Sequence, residues 1–440
     1  MSSRRQPSTR GAEFVGTEYE LEVTNIAHGG VCVGRVDGRV IFVPDGIPGE
    51  RVRVQITDAS QKSFWRSELL EVLEPSPDRQ PHVWPEADVS RPFAERAGGA
   101  DYGHIRLERQ RQLKRDVLKD ALQRFGGLTH DDPAQATLLE QLAVQGIPGD
   151  DEKGGRHWRT RVRLHVDAAG RVGPYAARSN TVVPVASLSL AVEALTGLID
   201  LSQPLSGVTA VELVAPSVGE PVLRLIEAGS ESSQQPRLGT VIERVGSREF
   251  RVALDGFWQV HHAAAQTLSD AVIAAIDPIR FDPQAANLDL YGGVGLFAAA
   301  LGDFGGPGTR VTSVEGNERA TDLAQANLAE WVGARALTNR VDYFLRELLS
   351  TAGPTERERL HTATVVLDPP RAGAGRDVIE LLGKLAPAQL IYVACDPVAL
   401  ARDVKLLADQ GYRLSGIRAF DLFPNTHHLE AVASFVRDEA

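Results

Sequence analysis

Five polar clusters end apolar runs in the second half of this chain, and together they supply a thiol, several carboxylates and a group of glycines. Cys395 ends IYVAC, Glu430 lies in FPNTHHLE just after His427 and His428, and Asp368 opens DPPR, which finishes on Arg371. Asp289, Gly292, Gly293 and Gly295 belong to LDLYGGVG, and Glu315 closes RVTSVE. A cysteine can attack as its thiolate, and a carboxylate can take a proton. Glycines that follow a strand permit close backbone approach and a tight turn into a helix, and an acid about twenty residues later can grip two ribose hydroxyls. The set points to a nucleoside cofactor beside a nucleophile and a base. Taken singly, each part has a plainer reading: a glycine turn, a surface Glu, and a Cys packed as a small apolar residue.

The elements that must position these residues are legible in outline. From Gly256 onward, LDLYGGVG, TRVTSVEGN, TATVVLDPP and LIYVACDP read as strands separated by helical stretches, the rhythm of a doubly wound parallel α/β sheet. Ligands in such sheets sit beyond the carboxyl ends of the strands, where every cluster above falls. The last two strand-like runs, GYRLSGIRAFDLFP and HHLEAVASFVRD, are joined by a short loop, so one is expected to run antiparallel at the sheet edge. A last strand running antiparallel would start where its neighbours end, bringing Glu430 to Cys395. Pro369 and Pro370 keep the chain after Asp368 extended. Upstream, residues 14–74 read as a small β-barrel of short, Gly-bounded strands, and the Pro-rich start of 75–104 reads as a linker. Residues 105–255 read as a central α+β unit opening on one long helix, and 256–440 as the doubly wound domain. Residues 1–13 are expected to be a disordered tail.

A content of 43% hydrophobic and 24% charged residues suits a globular protein, and no run approaches the roughly 18 to 20 apolar residues that span a bilayer. The expectation is a cytoplasmic monomer with no membrane partner. Two cysteines, Cys32 and Cys395, are too few for a disulfide framework or a thiolate metal site, and Cys32 reads as barrel core. A net charge of -11 argues against a protein that coats nucleic acid with its whole surface, so any such contact must be local. Two basic stretches could make it: Arg106, Arg109, Arg111, Lys114, Arg115 and Lys119, then Arg156, Arg159, Arg161 and Arg163. Their bland reading is a solvated helix face and strand surface. Tyr102, Trp158 and Tyr175 could stack on bases, or belong to the core.

A thiol and a carboxylate beside a methyl donor can perform one demanding reaction. Uracil C5 is a poor nucleophile, but a thiolate added to C6 turns the ring into an enolate whose C5 can take a methyl group. The C5 proton must then be removed and the thiolate expelled, which calls for a base poised on the ring.

At these residues the chain resembles the RNA uracil-5 methyltransferases. GFWQV resembles the F-x-Q motif of that family, DLYGGVGLF its cofactor loop, SVEGN and LDPPRAG its next two motifs, VACDPVALARD its nucleophile motif and FPNTHHLE its base motif. The resemblance implies Cys395 as nucleophile and Glu430 as base. It implies S-adenosylmethionine held by Gln259, Tyr291, Gly293, Gly295, Glu315 and Asp368, with Phe257, Gln259 and Asp368 on the uracil. Residues 14–74 look like a TRAM domain, which implies an RNA partner, ribosomal or transfer RNA. The family often carries an iron–sulfur cluster, and here Arg91, Ala97, Ala100 and Ala186 stand where its cysteines would be, so no cluster is expected. His261, Leu296 and Asp396 stand where the family often has asparagine. The rival readings are a cytosine-5 enzyme, opposed by the absence of a cysteine in DPPR; an amino-group methyltransferase, which has no use for Cys395; and an RNA-binding protein whose catalytic half has decayed.

Overall fold

The computed structural model describes residues 11–177, 179–229 and 238–437. Residues 1–10 of the expected tail lie outside them. Its described end is structured: Ala12–Phe14 form a 3₁₀ turn, and the Phe14 ring packs on Trp65 with centroids 4.6 Å apart.

Strands β1 (Glu18–Ile26), β2 (Cys32–Val36), β3 (Arg39–Val43), β4 (Arg51–Asp58) and β5 (Phe64–Glu74) close a barrel in the order β1-β2-β3-β5-β4. Alternation builds it: Val52, Val54 and Ile56 of β4 point inward while their neighbours face out. The β2–β3 turn is Asp37-Gly38 with positive φ at both residues, the geometry that matches strand twist in a two-residue hairpin. The segment expected as a linker folds back on this barrel. Arg79 donates to the buried Glu50 carboxylate at 2.6 and 2.7 Å, and the Gln80 N–H donates to the His104 carbonyl.

Helices α1 (Leu107–Arg124) and α2 (Pro133–Gln141) lead to β6 (Val144–Gln145). Strands β7 (Arg161–Val166), β8 (Val172–Gly173), β9 (Val208–Val214) and β10 (Val222–Glu227), with α3 (Glu193–Thr196) between β8 and β9, form an antiparallel sheet in the order β10-β9-β7-β8. Strands β11 (Thr240–Val245) and β12 (Arg248–Ala253) make a hairpin. The chain then runs α4 (Ala264–Ala275), β13 (Asn287–Leu290), α5 (Leu296–Gly305), β14 (Val311–Glu315), α6 (Glu318–Asn327), β15 (Ala334–Thr338), α7 (Val341–Thr351) and α8 (Pro354–His361). It closes with β16 (Thr364–Leu367), α9 (Gly375–Leu385), β17 (Gln389–Ala394), α10 (Pro397–Asp409), β18 (Tyr412–Phe420) and β19 (Glu430–Arg437).

The large sheet has the order β15-β14-β13-β16-β17-β19-β18-β6. Strands β13 to β17 are mutually parallel, and the chain steps outward from β13 before crossing to β16, so the ligand crevice opens at the carboxyl ends of β13 and β16. One face is covered by α1, α7, α9 and α10, the other by α4, α5 and the β11–β12 hairpin. The antiparallel strand is not at the edge as expected. β19 lies between β17 and β18, and β6, recruited from far upstream, pairs with β18. The expected central unit thus divides: α1 and β6 share the core of the large sheet, and so does the β11–β12 hairpin from its other face.

Candidate active site

Register brings the thiol to the carboxylate. Along β17 and β19 the partners run from Gln389↔Val436 to Ala394↔Ala431, so Cys395, just past the end of β17, and Glu430, at the start of β19, come next and are electrostatic neighbours. Directly opposed residues of an antiparallel pair project to the same side. That side is the α4 and α5 face, because Ile391, Val393 and Val432, in phase with Cys395 and Glu430, enter its core. Burial pushes the Glu430 carboxyl well above its ordinary range, the Asp368 charge adds to this, and Arg371 opposes it. The Cys395 thiol is pushed up to about 12 by burial, then by Glu430 and Asp368, again against Arg371. Burial and the neighbouring Asp289 push Asp368 up to about 7. His428 is pulled down to about 3 by burial and then by His427, so its ring is neutral at physiological pH.

A second cleft, of about 420 Å³, adjoins this crevice, with Tyr291, Glu315, Gly316, Asn339, Arg340 and Asp342 in its wall. Glycine is required in the loop after β13, which follows Tyr291 in the cleft wall, for steric reasons. A Cβ on Gly292 would lie 2.0 Å from Ser313 Oγ, and Gly293 and Gly295 have φ of 55° and 91°. A Cβ on Gly293 or Gly316 would meet nothing within 4 Å, so bare backbone faces open space on both sides of Glu315. The Glu315 carboxylate is held by the N–H groups of Gly293 (3.1 Å) and Asn317 (2.8 Å), which leaves oxygen lone pairs for further donors. Beneath the loop, Asp289 accepts from Ser313 Oγ and the Ala298 N–H, its other oxygen has no protein partner among the described residues, and burial pushes it up to about 7. The loop after Asp368 is pinned from below. Asp403 accepts from the Ala374 N–H (2.7 Å), the Gly375 N–H (3.3 Å) and Tyr392 Oη (2.6 Å).

Gln259 is half-buried on the segment between β12 and α4, and the Phe257 ring is 75% exposed. Arg161 holds that segment by donating to the carbonyls of Leu254 and Gly256. Asn339, Arg340 and Asp342 were not anticipated from sequence. They follow β15, whose ARALT has too little apolar character to read as a strand, though the polar cluster TNRVD after it was the available signal.

Family comparison agrees with this geometry. A model described as tRNA (Uracil-5-)-methyltransferase matches residues 247–437, and a TRAM-domain model matches 12–68. An uncharacterized RNA methyltransferase of Streptomyces coelicolor is 37% identical, covering 97% of this chain and 94% of its own. The 23S rRNA (uracil(1939)-C(5))-methyltransferase of Shewanella sediminis is 30% identical, covering 96% and 97%. The chain belongs to the RNA uracil-5 methyltransferase family. Among solved structures, Pyrococcus abyssi tRNA (uracil-54, C5)-methyltransferase in complex with S-adenosyl-L-homocysteine has the same fold, with a TM-score of 0.66 at 20% identity over 94% of this chain and 99% of that one. As a family member, the chain is an RNA methyltransferase with an N-terminal TRAM barrel, and the cleft walled by Tyr291, Glu315 and Gly316 has the free carboxylate oxygens and open backbone that suit an adenosyl methyl donor.

Several sequence expectations about this methyltransferase need correction. The first basic stretch is largely occupied internally: Lys114 is buried against Asp421, Arg111 pairs with Asp151 and Asp421, and Arg109 with Asp78. In the second, Arg161 is paired with Glu243 and with backbone, and burial lowers both it and Arg159. Tyr102 and Trp158 are core residues and cannot stack on bases, whereas Tyr175 lies on the surface, stacked on His165 at 3.6 Å. Cys32 is core, as expected: its Sγ–H meets the Gly46 carbonyl, and burial pushes its pKa up to about 12. His261 is also accounted for. Its Nδ1 accepts the Ala263 N–H and its Nε2 lies 3.1 Å from Asp150, a buried pair stacked on Trp158. Where the family often has its cluster, Glu86 accepts from the N–H groups of Ala186 (2.7 Å) and Ser187 (3.0 Å), and Arg96 reaches Asp45 of the barrel.

Proposed function

We propose that this enzyme transfers a methyl group to C5 of a uridine through a covalent adduct between Cys395 and C6, with Glu430 as the base that removes the C5 proton. The observation that carries the reading is the β17–β19 register, whose last pair, Ala394↔Ala431, makes Cys395 and Glu430 the next residues along, close enough for the Glu430 charge to act on the thiol. S-adenosylmethionine, when bound, supplies the methyl group. Glu315 would take the ribose hydroxyls, with Tyr291, Gly293 and Gly295 shaping the cleft and Gln259 and Asp368 lying between donor and uracil. Phe257, exposed at the rim, would meet the base or its neighbour.

The electrostatics suit both steps. A thiol held near 12 stays protonated until a substrate is present, which limits side reactions; its proton passes to solvent as sulfur adds to C6, since Cys395 is only partly buried, and Arg371 is a nearby cation that offsets the charge of thiolate and enolate. Burial raises the proton affinity of Glu430, so once it is ionised, which Arg371 favours, it is a stronger base toward the C5 proton than an ordinary glutamate. The uridine must leave its stack to reach Cys395, at a cost of a few kcal/mol when it is paired. Of the two RNA classes the reading favours 23S ribosomal RNA, supported by 30% identity to the Shewanella enzyme against 20% to the Pyrococcus transfer-RNA enzyme at comparable coverage. Incubation with labelled donor and separated RNA classes, followed by nucleoside analysis, tests this. The reading expects 5-methyluridine in ribosomal RNA and none with Cys395→Ala. A methylated cytosine or amino group, or an active alanine variant, would overturn it.

A further inference from the structure

One loop of the TRAM barrel reaches both arms of the catalytic pair. His28, between β1 and β2, sets Nε2 3.4 Å from Oδ2 of Asp396, the residue directly after Cys395. Two residues on, Gly30 packs so closely on His427 that a Cβ there would lie 2.5 Å from the His427 Cβ, and its φ of 79° also demands glycine. His427 is fixed from the other side by Asp101 at 2.7 Å and lies three residues before Glu430. The nucleophile motif and the base motif therefore both rest on residues 28–30 of a domain that precedes them by most of the chain.

Asp396 is the hinge of this arrangement. It is the N-cap of α10, and Oδ1 accepts the N–H groups of Val398 (3.0 Å) and Ala399 (2.8 Å). That bond fixes the chain at the point where Cys395 leaves β17. The second oxygen is left for His28. An asparagine, frequent here in the family, would cap equally well but would offer one oxygen and no charge. The aspartate gives this chain a link between barrel and nucleophile loop.

We propose that His28 is a positioning residue for the methyl transfer, acting through Asp396 to hold the Cys395 loop against the barrel, so that the docked TRAM domain forms part of the catalytic machinery. The inference rests on the reading of Cys395 as nucleophile. His28 and Asp396 are both partly solvent-exposed, so their coupling is modest, roughly two- to fivefold in rate.

The test is a double-mutant cycle in steady-state methylation, with kcat and the KM for RNA measured for H28A, D396N and the double variant, and with H28Q as the rescue. The proposal expects H28A to lower kcat about two- to fivefold with KM for RNA unchanged, H28Q to restore it by keeping a donor of similar reach, and H28A to have no effect in the D396N background. A loss that falls in KM, persists in D396N or is not rescued by H28Q, or no loss at all, overturns it. Cys395→Ala is run in parallel: an active alanine variant would defeat the nucleophile reading itself, whereas an inactive one with no His28–Asp396 coupling defeats only the inference.

Discussion

Lys114 and Asp421 form an ion pair with both side chains fully buried, and cutting it is the sharpest stability test this structure offers. The ammonium also donates to the Phe423 carbonyl, so the pair fastens α1 to the loop that leads from β18 into the base motif. In K114M the Asp421 carboxylate stays buried, with Arg111 Nε 3.5 Å away as its remaining cation. Removing one member of a buried pair costs about 3–5 kcal/mol, and the remaining arginine argues for the lower end. In a domain of 150–250 residues each kcal/mol moves Tm by about 2–4 °C, so a fall of roughly 6–12 °C is expected near pH 8. Thermal unfolding followed by circular dichroism near pH 8 measures the fall. A fall under about 2 °C would refute the reasoning. Replacing both residues by apolar ones should recover most of the loss.

Two further outcomes follow from the same bookkeeping of partners. A thiol held near 12 should be alkylated at a rate that climbs about tenfold per pH unit from pH 6 to 9 without levelling off. Mass spectrometry can assign the label to Cys395, since Cys32 is sealed in the barrel, and a plateau near the ordinary thiol pKa of about 8.5 would contradict the placement. Removing the Glu86 carboxylate with E86A should cost about 1–3 kcal/mol and speed amide exchange at Ala186 and Ser187, because two backbone donors lose their acceptor. Unchanged exchange there would show that the carboxylate does not hold the two segments together.

What could be read in the sequence, and what could not, follows physical lines. Strands β13, β14, β16 and β17 were legible because they are buried on both faces and end in polar or glycine clusters. β15 is only half-buried and β6 is two residues long, so neither carries a pattern, and β6 exists only because β18 offers it an edge. The convergence of Cys395 and Glu430 depended on a single assumption, an antiparallel last strand, and that strand pairs as needed although it lies inside the sheet. The fate of the basic stretch was half visible. Lys114 falls on the same stripe as Leu107, Gln110, Leu118 and Ala121, a helical spacing that marks it as inward-facing, yet its partner Asp421 could come only from the fold. His28 is the opposite case: no local pattern connects a barrel turn to a residue at the head of α10.

The central claim is that thiol and carboxylate act in turn on one pyrimidine, and trapping the adduct measures it most directly. With Glu430→Gln, incubation with RNA and S-adenosylmethionine should build up a protein–RNA species that survives denaturing electrophoresis, and peptide mapping should place the methylated uridine on Cys395. Release of free 5-methyluridine at the wild-type rate, or a bond to any other residue, would contradict the account.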